Sequence, residues 1–189
     1  MRRLADADSP WLGSGLHALV AALLAAAGTL AAGTWSERVT FTGLAVAAGL
    51  LVTIDLAVHR LPDRIVLAAA AVAVTGTAAA AWESGSWQPW GRALLAGIVV
   101  GAGFLLLALA SPTGLGLGDV KLAAVLGTVL GWFGWQAALT GILAGFVCGG
   151  VVALIGLALR RTGVRDHLAF GPWLILGSVA GIALTVSGS

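Results

Sequence analysis

The chain has 189 residues, of which 59% are hydrophobic and only 10% charged, and a formal net charge of +2. A soluble domain usually carries about 25% charged residues, and a mean hydropathy of +1.02 leaves too little polar surface to cover a core in water. The composition excludes an ordinary soluble domain and fits a chain solvated by lipid. Its small, scattered positive charge gives no footprint for nucleic acid.

The chain opens with a polar leader, 1–14, that holds Arg2, Arg3, Asp6, Asp8 and Pro10. Seven apolar stretches follow, roughly 15–33, 39–58, 65–82, 92–110, 118–134, 136–159 and 168–187. Each comes near the ~20 residues an α-helix needs to cross a bilayer. They are continuous, rich in Ala and Leu, and lack the period-two alternation of barrel strands. The expected fold is therefore an all-α polytopic membrane protein. About seven transmembrane helices are expected, and the loose boundaries allow six to eight. The first stretch has arginines before it and small residues at its end, as a signal peptide has. Its long apolar run and its acidic leader argue for a span instead. With no linker or charged tail, 15–189 reads as a single membrane-embedded domain. Small residues at close spacing, such as Gly97 with Gly101 and Gly141 with Gly145, predict faces where helices approach closely.

Orientation follows from the basic residues, which collect on the cytoplasmic side of membrane proteins. With the N-terminus cytoplasmic, the inner segments hold Arg2, Arg3, Arg60, Arg64, Lys121, Arg160, Arg161 and Arg165, and the outer ones only Arg38 and Arg92. The tryptophans agree, as interfacial anchors should: Trp35, Trp82, Trp87, Trp90, Trp132 and Trp135 fall near outer ends, Trp11 and Trp173 near inner ends. Cys148 is the single cysteine, so neither an intrachain disulfide nor a thiolate cluster can form. His17, His59 and His167 lack metal-ligand spacing. No metal site and no cofactor are expected.

Of the eight acidic residues, six have a solvated or capping role at hand. Asp6 and Asp8 lie in the leader, Glu37 and Glu83 in outer loops, and Asp166 in a basic inner loop. Asp63 follows Pro62 and reads as a cap for the third span. Asp55 and Asp119 differ. Asp55 lies in Leu50-Leu51-Val52-Thr53-Ile54-Asp55, at the inner end of the second span, and Asp119 at the inner start of the fifth. A carboxylate in or near hydrocarbon costs several kcal/mol unless paired or neutralised, which makes it a functional candidate. The charge-derived topology puts both on one side, where they can meet. Two carboxyls a few ångströms apart share one proton. The ionised one can draw a proton from water, while the protonated one polarises a peptide carbonyl and assists the leaving amine. The plainer alternative is that one of them is structural, with Asp119 capping the fifth span.

The run Gly114-Leu115-Gly116-Leu117-Gly118 precedes Asp119. Glycine permits positive φ and close approach of another backbone, so these residues would let the chain enter the helix sharply and an extended substrate lie beside the carboxylate. A plain turn is the alternative. Lys121 stands about 200° around the helix from Asp119 and does not face it. It reads as an interfacial anchor or as a contact for an acidic substrate residue.

These residues carry a resemblance. Gly116-Leu117-Gly118-Asp119-Val120-Lys121-Leu122 resembles the GxGDxKL signature of the type IV prepilin peptidases, a branch of the GxGD intramembrane aspartic proteases. Ile54-Asp55 with Arg60-Leu61-Pro62-Asp63 resembles the segment that holds that family's first catalytic aspartate. Leu168-Ala169-Phe170-Gly171-Pro172-Trp173-Leu174 is similar to the family's PFGPFL-like stretch, with Ala169 where proline is usual. The resemblance covers about 50–180. It implies an aspartic endopeptidase in which Asp55 and Asp119 are catalytic and Gly116 and Gly118 shape the active-site loop. It also implies a prepilin or pseudopilin substrate of a type IV pilus or protein secretion system. The leader would be cut just before the substrate's hydrophobic helix, at the cytoplasmic face of a bacterial-type inner membrane. Many members also carry two CxxC pairs linked to N-methylation. This chain has none, so it resembles the peptidase half alone, and methyltransferase activity is not expected.

Two other readings use the same acids. A transporter or proton relay also needs intramembrane carboxylates, usually near the midplane and within inverted repeats. A non-catalytic pilus assembly factor would keep the fold without the chemistry, which the intact aspartates disfavour.

Overall fold

The computed structural model describes residues 21, 24, 25, 28, 29, 32–58, 61–110, 115–158 and 170–188. The 1–14 leader, most of the first expected span, Gly114, Arg60 and the 159–169 segment with Arg160, Arg161, Arg165, Asp166, His167 and Ala169 lie outside the described residues. Six helices follow in order: α1 (Trp35–Val58), α2 (Asp63–Ser84), α3 (Gln88–Ala110), α4 (Leu117–Phe133), α5 (Trp135–Ala158) and α6 (Gly171–Ser187). They coincide with the second to seventh expected spans, and residues described before them, such as Leu24 and Gly28, are helical too. Four are long and apolar enough to cross a membrane: Trp35–Leu56, Asp63–Ser84, Gln88–Ala110 and Trp135–Ile155. The helices α4 and α6 are shorter, with 17 residues each, or about 25 Å of rise. The protein is a polytopic helical membrane protein.

Its outer surface is what lipid allows and water would not. Leu95, Ile98, Leu106 and Leu109 on α3, and Leu139, Leu143, Val147 and Leu154 on α5, are all exposed. The hydrophobic effect cannot hold such helices together within lipid, so close packing must. The expected small-residue faces do meet. Gly97 and Gly101 of α3 lie against Ala124 and Thr128 of α4, and Gly141 and Gly145 of α5 against Gly181 and Gly177 of α6. A Cβ at Gly181 would stand 2.6 Å from the Gly141 backbone, so only glycine permits this contact. The helix α4 is central, touching α2, α3, α5 and α6, while α1 packs on α2 and α6.

Among the described residues, two turns need positive-φ backbone. Gly85 (φ 70°) closes α2, with the Ser86 and Gly85 N–H groups returning to the Ala81 and Trp82 carbonyls. Gly134 (φ 142°) is the whole connection between α4 and α5.

One end of the bundle is polar, and its charges are tied to helix ends. Glu83 accepts the N–H groups of Trp35 (3.2 Å) and Ser36 (3.0 Å), which start α1. Glu37 accepts from the Thr34 N–H and the Trp132 indole Nε1. Arg92 donates to the Gly131 and Trp132 carbonyls, each at 2.7 Å, and so caps the end of α4. Both glutamates, expected in outer loops with a solvated or capping role, lie instead within the first turn of α1 and the last turn of α2, where they cap, and α1 starts earlier than its apolar run. The tryptophans divide. Trp35, Trp82, Trp87 and Trp135 are exposed, whereas Trp132 is buried and Trp90 donates to the Val74 carbonyl within the bundle. Buried in this way, each indole N–H needs an acceptor, and each has one, the Val74 carbonyl for Trp90 and Glu37 for Trp132.

Candidate active site

Asp55 stands in the last turn of α1 and is only 4% exposed. Its Oδ2 accepts the N–H of Gly171, the first residue of α6, at 3.2 Å. Asp119 is the third residue of α4. Its main-chain N–H bonds to the Gly116 carbonyl at 3.0 Å, and its carboxyl accepts the Gly116 N–H in return. That is half of a capping box: the third-position acid reaches back, but Gly116 has no side chain to return the bond and its carbonyl takes the Asp119 N–H instead. The capping alternative for Asp119 is thus met, and it does not compete with chemistry, because Asp55 is near enough for its charge to act on Asp119. The last turn of α1, the first of α4 and the start of α6 bring the two acids to one place.

The glycines act differently from expectation. Gly116 has extended backbone (φ −77°, ψ 148°) and needs no left-handed freedom. Gly118 lies within the helix, and a Cβ there would come 3.1 Å from the Leu61 Cβ. Its close neighbour is therefore a side chain from the α1–α2 connection. Lys121 turns away from Asp119, as its spacing requires, and pairs with Asp63 Oδ1 at 2.6 Å. Asp63 is not the cap expected for its helix. Pro62 occupies that position with no side-chain cap, and Asp63 is the first helical residue, where its charge still suits the helix N-terminus.

One turn deeper, Leu51, Leu122 and Ile175 pack as an apolar floor under Asp55, Asp119 and Gly171. Beneath them runs a cavity of about 380 Å³ lined mainly by α1, α4 and α6, with Leu24 and Gly28 ahead of α1 and Ala69 of α2. Among the described residues, no three His, Cys, Asp or Glu side chains gather as a metal site.

The sequence matches the type IV leader peptidase family over residues 42–154, more than half of the chain. The protein belongs to that family. No curated protein and no solved structure matches it. Membership makes it a leader-peptidase-type protease, with a prepilin-type protein as the general class of substrate. The matched region carries Asp55 and Asp119 and stops short of Gly171. Sequence reasoning gave no role to Gly171 or Leu61. Both lay in stretches noted for resemblance, and their signal was a glycine or an apolar residue at the inner edge of a span. Spacing alone does not reveal which neighbour such a residue meets.

Proposed function

We propose that this leader peptidase family member is an aspartic endopeptidase with Asp55 and Asp119 as its catalytic pair. It removes the leader of prepilin-like or pseudopilin substrates at the cytoplasmic face of a bacterial-type inner membrane. The observation that carries this reading is the presence of two carboxyls at one end of the bundle, Asp55 buried in the last turn of α1 and Asp119 in the first turn of α4, with the Gly171 position against both Asp55 and Leu122 of α4. In the reaction, one carboxylate takes a proton from water, and the water oxygen bonds to the scissile carbonyl carbon. The other, protonated, carboxyl hydrogen-bonds the carbonyl oxygen. Collapse of the tetrahedral adduct breaks the C–N bond, and a carboxyl proton passes to the departing amine.

The arrangement with seven spans, a cytoplasmic N-terminus and one domain over 15–189 belongs to the same proposal. Gly116 and Gly118 shape the loop through the Asp119 cap and the contact with Leu61. An acidic substrate group at Lys121 would exchange with Asp63. Both acids stand in terminal turns of their helices, which favours a site at the membrane edge over a relay at the midplane. The test is cleavage of a leader-bearing prepilin in membranes by Asp55→Asn and Asp119→Asn, made separately. Asn keeps the shape but cannot hold the shared proton. Wild-type cleavage by either variant removes that residue from the pair.

A further inference from the structure

Phe170, Gly171 and Pro172 open the last helix, and the two-carboxyl chemistry gives them no part. A helix start leaves its first N–H groups without partners inside the helix. From Gly171 onward each one in α6 has a defined fate. The Trp173 and Leu174 N–H groups bond to the Phe170 carbonyl at 3.1 and 3.2 Å. Pro172 has no N–H to offer. The Gly171 N–H goes to Asp55 Oδ2 at 3.2 Å. The first turn therefore presents one donor, and its acceptor is a buried carboxyl.

The fit is also steric. A Cβ at residue 171 would stand 2.8 Å from Asp55 Oδ2 and 3.4 Å from Leu122 Cδ2. Asp55 is enclosed and has no cheap way to yield. The helix start is itself anchored. The Phe170 ring lies 5.3 Å from Phe146, which lies 5.3 Å from Phe104. It also covers Gly149 of α5, where a Cβ would come 2.7 Å from the ring. Further along, the glycine contacts fix α6 against α5.

We propose that Phe170-Gly171-Pro172 is a positioning element for Asp55. Phe170 anchors the helix start, Pro172 removes a competing donor, and Gly171 supplies both the single N–H and the space the carboxyl needs. The proposal rests on the protease reading and adds a third helix to the site.

The experiment is steady-state cleavage of a leader-bearing prepilin by the purified full chain in detergent. Gly171→Ala should lower kcat about 100-fold with KM within about twofold, because a displacement near 1 Å is enough for that loss. Gly177→Ala is the control. It disturbs the same helix against α5, far from Asp55, and should lower thermal stability while the folded protein keeps its kcat. Wild-type kcat in Gly171→Ala overturns the proposal, as does a loss no greater than that of Gly177→Ala at equal folded fraction. If Gly171→Ala does not fold, thermal midpoints of Asp55→Asn and Asp55→Leu decide. Asn still accepts the Gly171 N–H and should melt near wild type. Leu leaves that N–H unpaired and should melt lower, whereas equal midpoints overturn the hydrogen bond's role. Cleavage by Asp55→Asn would sink the protease reading itself, while an inactive Asp55→Asn beside a fully active Gly171→Ala would sink only the positioning role.

Discussion

Carboxylates meet helix backbone at both ends of this bundle, yet the two ends are built to different purposes. At one end Glu83 and Glu37 accept N–H groups at the start of α1, and Arg92 closes α4. Each of these charges has its own backbone or indole partner, although Glu83 is exposed and Glu37 only half-buried, so they act as helix caps at the surface. At the other end Asp55 and Asp119 also accept backbone N–H groups, but they stand close enough to act on each other. Capping needs no second carboxyl nearby, and like charges in a poorly solvated place raise the energy of the folded chain. An arrangement that stabilises nothing by its pairing points to chemistry, and the difference between the ends separates a structural carboxylate from a working one.

The largest expected effect breaks the symmetry outright. Asp55→Asn or Asp119→Asn should lower kcat at least 100-fold, within the 10²–10⁴ that positioned acid–base groups contribute. Thermal stability should stay level or rise, because each change ends the like-charge repulsion that forces the pair to hold a proton, while keeping an acceptor. A parallel fall of activity and melting temperature would make these acids structural, like the glutamates opposite.

The pair should also show itself in pH dependence. A base that must be ionised and an acid that must be protonated give a bell-shaped kcat/KM profile, whose two limbs belong to the pair rather than to either residue. Each limb should approach a tenfold change per pH unit. A flat profile across both limbs, with chemistry rate-limiting, would contradict a shared proton.

A smaller, opposite signature is expected at the other end. Glu37→Ala removes the acceptor of the Thr34 N–H and the Trp132 indole. Loss of such a cap costs about 1 kcal/mol. Denaturation midpoints should fall while kcat of the folded enzyme stays unchanged, and Glu37→Gln should recover most of the stability. A loss of kcat with Glu37→Ala would mean that the two ends are coupled through α1 or α4.

How much of this was legible in the sequence depends on the range of the interaction. The helices were, because apolar runs of membrane length have few other solutions and glycines four apart predicted the contacts of Gly141 and Gly145. The candidate acids were, because a carboxylate inside an apolar run is conspicuous whatever surrounds it. Helix starts were less so. Trp35 begins α1 with help from Glu83, which reaches across from the end of α2, beside the local Thr34–Glu37 cap, and Pro62 rather than Asp63 precedes α2. Gly171 stayed hidden because its function is a main-chain N–H aimed at a residue far away in sequence. A glycine string invites thoughts of flexibility, yet at Gly116 the backbone is ordinary and at Gly118 and Gly171 what matters is room.

The smallest effect concerns the ion pair at the edge of the site. Lys121 and Asp63 meet at 2.6 Å, with side chains 47% and 71% exposed. Exposed pairs contribute about 0–1 kcal/mol, so Asp63→Asn and Lys121→Met should each change stability by less than about 1 kcal/mol. Activity then tells position from recognition. If the pair only ties the start of α2 to α4, the two variants should behave alike. If Lys121 also receives an acidic substrate group, Lys121→Met should raise KM while Asp63→Asn, which releases the lysine, should leave KM unchanged or lower it. Equal KM values in both variants would return Lys121 to the structural side of the comparison, alongside Arg92 at the opposite end.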